Sequence, residues 1–132
     1  MVDFDSDVCK VERRHFVQRW ANTPKPGGAF AAVRDRDILG YGVVRPCIEG
    51  HMIGPLYALN TAITQPLLLT LSSLVPDKTI YIDALEENPS FIQLLSQDLQ
   101  MEPVFESVRM YNKGDPGILR QKMFAISSVD TG

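Results

Sequence analysis

Cysteine is scarce in this chain of 132 residues, which contains only Cys9 and Cys47. Two cysteines are too few for the disulfide framework of a small secreted domain, and these two do not share the short spacing of a metal-binding pair. A domain of this length buries enough surface on folding to be stable without such cross-links. The scarcity of cysteine therefore predicts a protein of a reducing compartment, and we expect a cytoplasmic location.

The chain also lacks an excess of basic residues and any long apolar run. Thirteen Lys and Arg residues stand against sixteen Asp and Glu residues, giving a net charge of -3. Proteins that bind nucleic acid or anionic lipid surfaces usually present a basic face. The apolar runs are only a few residues long, as at residues 67–69, whereas roughly 20 residues are needed to span a bilayer. We therefore expect neither nucleic acid nor a membrane among the partners.

Sequence motifs of several common active sites are missing. Neither the P-loop pattern nor the GxGxxG dinucleotide pattern occurs, so a glycine-rich nucleotide cradle is not indicated. His15 and His51 are the only histidines, and neither is paired with a nearby Cys, Asp or His at the spacing of a metal site, so we expect no metal site. A serine or cysteine hydrolase would need one of these histidines as its base, which the sequence alone leaves open. His51 is expected at an exposed strand edge.

Hydrophobic periodicity predicts helices and strands arranged around one mixed sheet. The predicted elements are a helix at residues 8–21, a hairpin at 30–33 and 38–44, a strand at 51–57, a leucine-rich helix around 67–75, a strand at 79–84, a helix at 88–100, and strands at 104–111 and 122–129. Asn88 before Pro89 is typical of a helix start, an N-cap followed by a residue suited to the first turn. The leucine-rich helix is expected to start at Ala62 or Thr64, ahead of Pro66, and the strand at 79–84 is expected in the centre of the sheet. The expected fold class is α/β (α+β), in a single domain over residues 1–132.

Several short motifs, taken in order, resemble one known superfamily. They are GYGVVRP at residues 40–46, IGPLYA at 53–58, PVFE at 103–106 and RMY at 109–111. With the strand–helix–strand–helix order that follows residue 51, they resemble the GCN5-related N-acetyltransferase (GNAT) superfamily, and in particular the carboxy-terminal acetyltransferase domain of YitH/HsdA-type proteins. The resemblance extends over residues 4–128. It implies a mixed, mostly antiparallel sheet with helices on both faces.

The same resemblance implies that the first strand and helix of the complete GNAT fold are missing. The chain is then either an abbreviated fold or a carboxy-terminal domain whose partner is an amino-terminal acetyltransferase domain.

The resemblance further implies an acyl-CoA-dependent N-acetyltransferase that transfers an acetyl group to a small-molecule or peptide amine. In that superfamily acetyl-CoA binds between two splayed central strands, and its diphosphate meets backbone N–H groups where the following helix begins. A helix amino terminus favours an anion, because its first N–H groups are unpaired and its dipole is positive there. The corresponding loop is residues 58–64. The residues expected to bind the cofactor are Leu56, Tyr57, Asn60, Thr61, Thr64 and, at the start of the next helix, Asn88.

Four other residues complete the expected site. Asp83 and Glu86, at the end of the strand at 79–84, are plausible by position as the base that takes a proton from the amine, although acids at such positions are more often solvated loop residues. Tyr41 and Arg45 are expected to contact the acceptor, although exposed strand positions also commonly hold such side chains.

The chain departs from the superfamily pattern at two points. The loop at 58–64 has neither the glycines nor the basic residue that most relatives carry there, and Leu95 or Ser96 stands where many relatives have a tyrosine that protonates the departing thiolate. These departures keep an alternative open. The chain would then be a non-catalytic GNAT-like domain that binds a small ligand or packs on a companion acetyltransferase domain.

Overall fold

Four helices and five strands form the described part of the chain, residues 1–112 and 114–129 of a computed structural model. The elements in order are α1 (Val2–Cys9), α2 (Arg14–Ala21), β1 (Gly28–Arg34), β2 (Asp37–Pro46), β3 (His51–Ala58), α3 (Thr61–Ser73), β4 (Ile80–Ile82), α4 (Pro89–Gln93) and β5 (Met123–Ala125). A π-helical turn, Leu94–Asp98, continues α4, and a 3-10 turn, Arg120–Lys122, precedes β5.

The five strands form one mixed, mostly antiparallel sheet. The order β1-β2-β3-β4 is antiparallel up to β3, whereas β3 and β4 run parallel. β5 lies off this path and pairs antiparallel with β3. The α+β fold class is thus confirmed, and the sheet is consistent with a GNAT-like fold.

Two apolar clusters cover the two faces of the sheet. On one face α3 and α4 pack over β2 and β3, with Leu68, Leu71 and Phe91 among the buried side chains. On the other face α1 contributes Val8 and Cys9, and α2 contributes Trp20. Helices therefore lie on both faces, as expected.

Local sequence explains where α3 begins. The Asn60 side chain accepts a hydrogen bond from the Ile63 N–H at 3.2 Å, so Asn60 is the N-cap in place of the predicted Ala62 or Thr64. An N-cap of this type satisfies one of the unpaired N–H groups of the first turn. Pro66 then lies inside the helix, where the N–H that it lacks would have bonded the carbonyl of Ala62.

The predicted helix at 8–21 is wrong in its start, because residues 8–9 end one helix, residues 10–13 are not helical, and a second helix covers residues 14–21. α1 ends at Cys9, Lys10 takes a left-handed conformation with φ 57°, and α2 starts at Arg14. A left-handed residue after the last turn is a common way to end a helix. α1 therefore lies ahead of β1 in addition to α2, where the resemblance implied a missing helix.

Several predicted strands differ from the structure. Residues 104–111 form no strand; Val104, Phe105, Val108 and Met110 are 75–86 % exposed. The strand predicted at 122–129 is confined to β5, and β4 lies at the end of the strand path instead of its centre. His51 is buried, with its Nε2 3.0 Å from the carbonyl oxygen of Pro26.

Candidate functional site

β3 and β4 part beyond the first residues of β3. Their parallel pairing covers only His51–Ile53 of β3. Beside residues 54–58 of β3 lies a space that β4 does not reach, which we call the β3–β4 gap. This is the place to which the GNAT resemblance assigns the acyl-CoA.

β5 occupies the β3–β4 gap. Leu56 pairs with Ala125 and Tyr57 with Met123, and Ala84, just beyond β4, forms a bridge with the same Ala125. Leu56 and Tyr57, both predicted to bind the cofactor, are fully buried. Their main-chain edge is engaged by a strand of the same chain.

Asn88 holds the segment that leads into β5. Its Nδ2 donates to the carbonyl oxygen of Met123 at 2.7 Å and to that of Arg120 at 3.1 Å. It makes no side-chain cap bond to α4, although its position before Pro89 suggested one. The side chain is buried, so in this structure the amide of Asn88 is engaged by the 3-10 turn and β5.

The starts of α3 and α4 lie side by side. The hydroxyl oxygens of Thr61 and Ser90 are 3.0 Å apart. The Thr64 hydroxyl donates to the carbonyl oxygen of Asn60 at 3.0 Å, and Thr64 is fully buried. The cap thus already uses the polar groups of Asn60 and Thr64.

These contacts test whether an acyl-CoA fits. An extended thioester arm in the β3–β4 gap would need the main-chain groups of β3 that β5 pairs, and a diphosphate at α3 would meet an N–H already bonded to Asn60. The thioester arm therefore does not fit the β3–β4 gap in this arrangement, because the main-chain groups of β3 that it would need already pair with β5.

Asp83 follows β4 and borders the segment after β5. Its carbonyl oxygen accepts from the Ile126 N–H at 3.1 Å. Burial raises the pKa of the Asp83 carboxyl, and the positive charge of Arg45 partly offsets the rise. Glu86, predicted with Asp83, is exposed. Asp83 is therefore the carboxyl of the two whose environment favours proton uptake.

Arg45 lies between α2 and the chain that follows β5. Its Nη2 donates to the carbonyl oxygen of Ser127 at 3.2 Å, and its guanidinium lies 5.0 Å from the ring centroid of Trp20. The Trp20 indole N–H in turn donates to the carbonyl oxygen of Gly54 at 3.2 Å. Arg45 thus joins α2, β2 and the residues beyond β5.

A buried polar cluster lies between α1, α2 and the sheet. Asp5, fully buried, accepts two hydrogen bonds from Arg13 at 2.8 and 2.9 Å and one from the Tyr41 hydroxyl. Arg13 also donates to the Tyr57 hydroxyl at 3.1 Å. We call Asp5, Arg13, Tyr41 and Tyr57 the buried polar cluster. Tyr41, predicted to contact an acceptor, is 1 % exposed and part of this cluster.

Burial dominates the protonation behaviour of this cluster. It raises the pKa values of both tyrosine hydroxyls, and the negative charge of Asp5 raises them further. Burial lowers the pKa of Arg13, but the hydrogen bonds and charge of Asp5 outweigh it and leave that pKa above its usual value. The tyrosines therefore stay neutral and the Arg13 guanidinium stays charged at any ordinary pH.

Neither Asp5 nor Arg13 is among the residues expected in the site, and Asp5 is the one that the sequence could have revealed. The signal available was a carboxylate three and four residues before Val8 and Cys9, which places Asp5 on the apolar face of α1. The structure brings Tyr41 and Tyr57 together and brings Asp83 near Arg45. Asn60, Thr61 and Thr64 lie at the start of α3.

Neither a metal-ligand cluster nor a membrane-spanning helix is found in the described part of the chain. Within residues 1–112 and 114–129, no three or more His, Cys, Asp or Glu side chains are grouped as metal ligands would be. The helices in the same part of the chain are too short or too polar to cross a bilayer.

Comparisons with known proteins agree with this fold. The chain is 27% identical over 133 aligned positions to a protein named holothin acyltransferase, from Pseudoalteromonas sp. (strain SANK 73390), and the match covers 100% of this chain and 45% of that protein. The chain thus spans less than half the length of this relative. No solved structure gives a significant match. Residues 1–125 match the family model described as an acetyltransferase (GNAT) domain, and the chain therefore belongs to that family.

Proposed function

We propose that this chain is part of an N-acyltransferase, which transfers the acetyl group of acetyl-CoA to a small-molecule or peptide amine. Family membership supports acyl transfer, and the Pseudoalteromonas relative is named as an acyltransferase of holothin. We place the reaction in the cytoplasm on the scarcity of cysteine, with Cys9 and Cys47 both free thiols.

Within that enzyme we assign the chain a non-catalytic role beside a companion acetyltransferase domain. The observation that carries this assignment is the pairing of β5 with Leu56 and Tyr57 in the β3–β4 gap. Asn88 holds that arrangement through two hydrogen bonds. The relative is more than twice as long as its matched region, which leaves room for a companion domain in that protein.

A second candidate is transfer catalysed by this chain itself once β5 withdraws. The observation that favours it is the position of Asp83 beside the segment after β5, with a carboxyl whose pKa is raised by burial. A base whose pKa approaches the working pH accepts a proton from an amine more effectively than an ordinary aspartate does. Asp83 would then be the base, and the exposed Glu86 is the alternative base.

Acetyl-CoA titration distinguishes the two roles. Calorimetry and a thiol-release assay with an amine mixture would be run on the wild type, on Asn88→Ala and on the matched control Gln93→Ala. Absence of binding and turnover in all three supports the non-catalytic role. Turnover by the wild type, abolished in Asp83→Asn, would overturn it in favour of the second candidate. Turnover only in Asn88→Ala would also favour the second candidate, with β5 as the obstacle.

A further inference from the structure

A cavity of about 390 Å³ lies on the α1–α2 side of the sheet. Its volume is in the range typical of small-molecule sites. The turn between α1 and α2 forms one wall, and the irregular segment at residues 107–111 forms another. Lining residues that bear on its chemistry are Cys9, Arg13, Arg109, Ile118, Met123 and Ile126. The cavity lies on the opposite side of the sheet from α3, where the diphosphate of CoA was expected.

Of the two guanidinium groups that line this cavity, Arg109 has no carboxylate partner among residues 1–112 and 114–129. Arg13 is paired with the buried Asp5. Arg109 donates through Nη1 to the Tyr111 hydroxyl at 3.4 Å, whereas its Nη2 is buried and has no hydrogen-bond partner among the described residues. The charge of Arg109 also acts on Cys9 across the cavity, lowering the pKa of the thiol against the larger effect of burial.

An unpaired, buried guanidinium N–H is costly, because it has lost water without gaining another acceptor. A carboxylate is the complementary group, since its two oxygens match the forked donors of arginine. The Ile118, Met123 and Ile126 side chains supply apolar walls around this donor. Within the described part of the chain, the cavity therefore combines a guanidinium that has no carboxylate partner with an apolar lining.

We propose that this cavity binds a small monocarboxylate with an apolar body, whose carboxylate is held by Arg109. The ligand contacts the outer side of the buried polar cluster through Arg13. Binding needs neither acetyl-CoA nor a change in β5, so this site is independent of the proposed acyltransferase role.

Calorimetric titration with three matched probes tests the proposal. Hexanoate, hexan-1-ol and hexylamine share one apolar chain and differ in the head group. We expect the Kd for hexanoate to be at least about tenfold lower than for hexan-1-ol, and hexylamine to bind more weakly still. Arg109→Gln should abolish the preference, and Arg109→Lys should restore part of it. Arg34→Gln, at the exposed end of β1, should leave it unchanged.

Cysteine labelling then locates the ligand. In a Cys47→Ser variant the remaining thiol is Cys9, which lines the cavity. Hexanoate should slow its alkylation by iodoacetamide severalfold more than hexan-1-ol does. Equal Kd values for hexanoate and hexan-1-ol, or an unchanged preference in Arg109→Gln, would overturn the proposal. If Arg109→Gln fails to fold, the labelling decides, and absence of protection by hexanoate overturns the proposal.

Discussion

Substitution of Asp5 by alanine tests the buried polar cluster. Asp5 is fully buried and accepts hydrogen bonds from Arg13 and from the Tyr41 hydroxyl. Its removal leaves the Arg13 guanidinium, whose side chain is 16% exposed, without a counter-charge. Removing one member of a buried ion pair costs about 3–5 kcal/mol. We expect that loss in the free energy of unfolding, measured by urea denaturation, and a fall in Tm of about 10–20 °C.

Two further variants separate this explanation from a general effect of removing charge. Asp7→Ala removes an exposed carboxylate that pairs with Lys10 and Lys122, each at 3.1 Å, and should change stability little because surface pairs are weak. The double variant Asp5→Leu/Arg13→Met removes both buried charges and should be more stable than Asp5→Ala. Equal urea midpoints for Asp5→Ala and Asp7→Ala would refute the reasoning.

Three other substitutions test the segment around β5 and Asp83. Asn88→Ala removes two hydrogen bonds to the chain leading into β5; we expect a loss of about 2–3 kcal/mol in unfolding free energy and faster amide exchange at Met123. Gly54→Ala would place a Cβ against the carbonyl oxygen of Ile126, and the overlap should cost about 1–3 kcal/mol and speed exchange in the same segment. Asp83→Asn should stabilise the fold at neutral pH, because burial raises the pKa of the folded carboxyl and its ionisation therefore opposes folding. The folding stability that protonated Asp83 contributes is fully present below the unfolded pKa near 3.8, and it is lost as the pH rises through the higher folded pKa. The stability advantage of Asp83→Asn over the wild type should therefore vanish at about pH 3.

Each of these predictions has a control within the same chain. Gln93→Ala, in the exposed part of α4, should leave exchange at β5 unchanged. Asp77→Asn, at an exposed residue with φ 57° that asparagine also adopts readily, is the matched surface control for Asp83→Asn and should change stability little. Unchanged exchange at Met123 in both Asn88→Ala and Gly54→Ala would contradict the assigned packing of β5. A stability gain for Asp83→Asn that is the same at pH 7 and at about pH 3 would contradict the pKa argument.

The position of β5 against β3 separates the two proposed roles of this chain. In a GNAT domain with an open gap, the edge of β3 is available to a ligand, whereas here Leu56 and Tyr57 pair with residues 123–125. Asn88 holds the segment that closes the gap through hydrogen bonds to Arg120 and Met123. A substitution at Asn88 therefore tests stability and function together.

The sequence predicted the elements whose side chains alternate or recur with a clear period. The spacing of the leucines determines which face of α3 is buried, and the alternation of Ile80 and Ile82 does the same for β4. Neither pattern depends on which element packs against that face. The ordered motifs at 40–46 and 53–58 lie in β2 and β3 and led to the correct family. Of the expected site residues, Arg45 lies in β2, Asp83 follows β4, and Asn60, Thr61 and Thr64 lie at the start of α3, so all of them are on elements next to β3.

Residues 104–111 show the limit of such patterns. They are rich in Val, Phe and Tyr, which favour strands, yet they form no strand in the structure. A strand needs a partner with a free edge, and preference for a strand says nothing about which edge is free. β5, a run of only three residues, takes the edge of β3 instead.

What the sequence determined by itself is the set of buried faces, because hydrophobic periodicity follows from the geometry of each helix or strand alone. Only the tertiary structure decided that β5 fills the β3–β4 gap, that Asn88 donates to Met123 and Arg120, and that Asp5 is buried against Arg13. These outcomes depend on which groups meet across long separations in the chain. Hydrogen-bonding capacity is a property of each residue, whereas the choice of partner is a property of the whole fold.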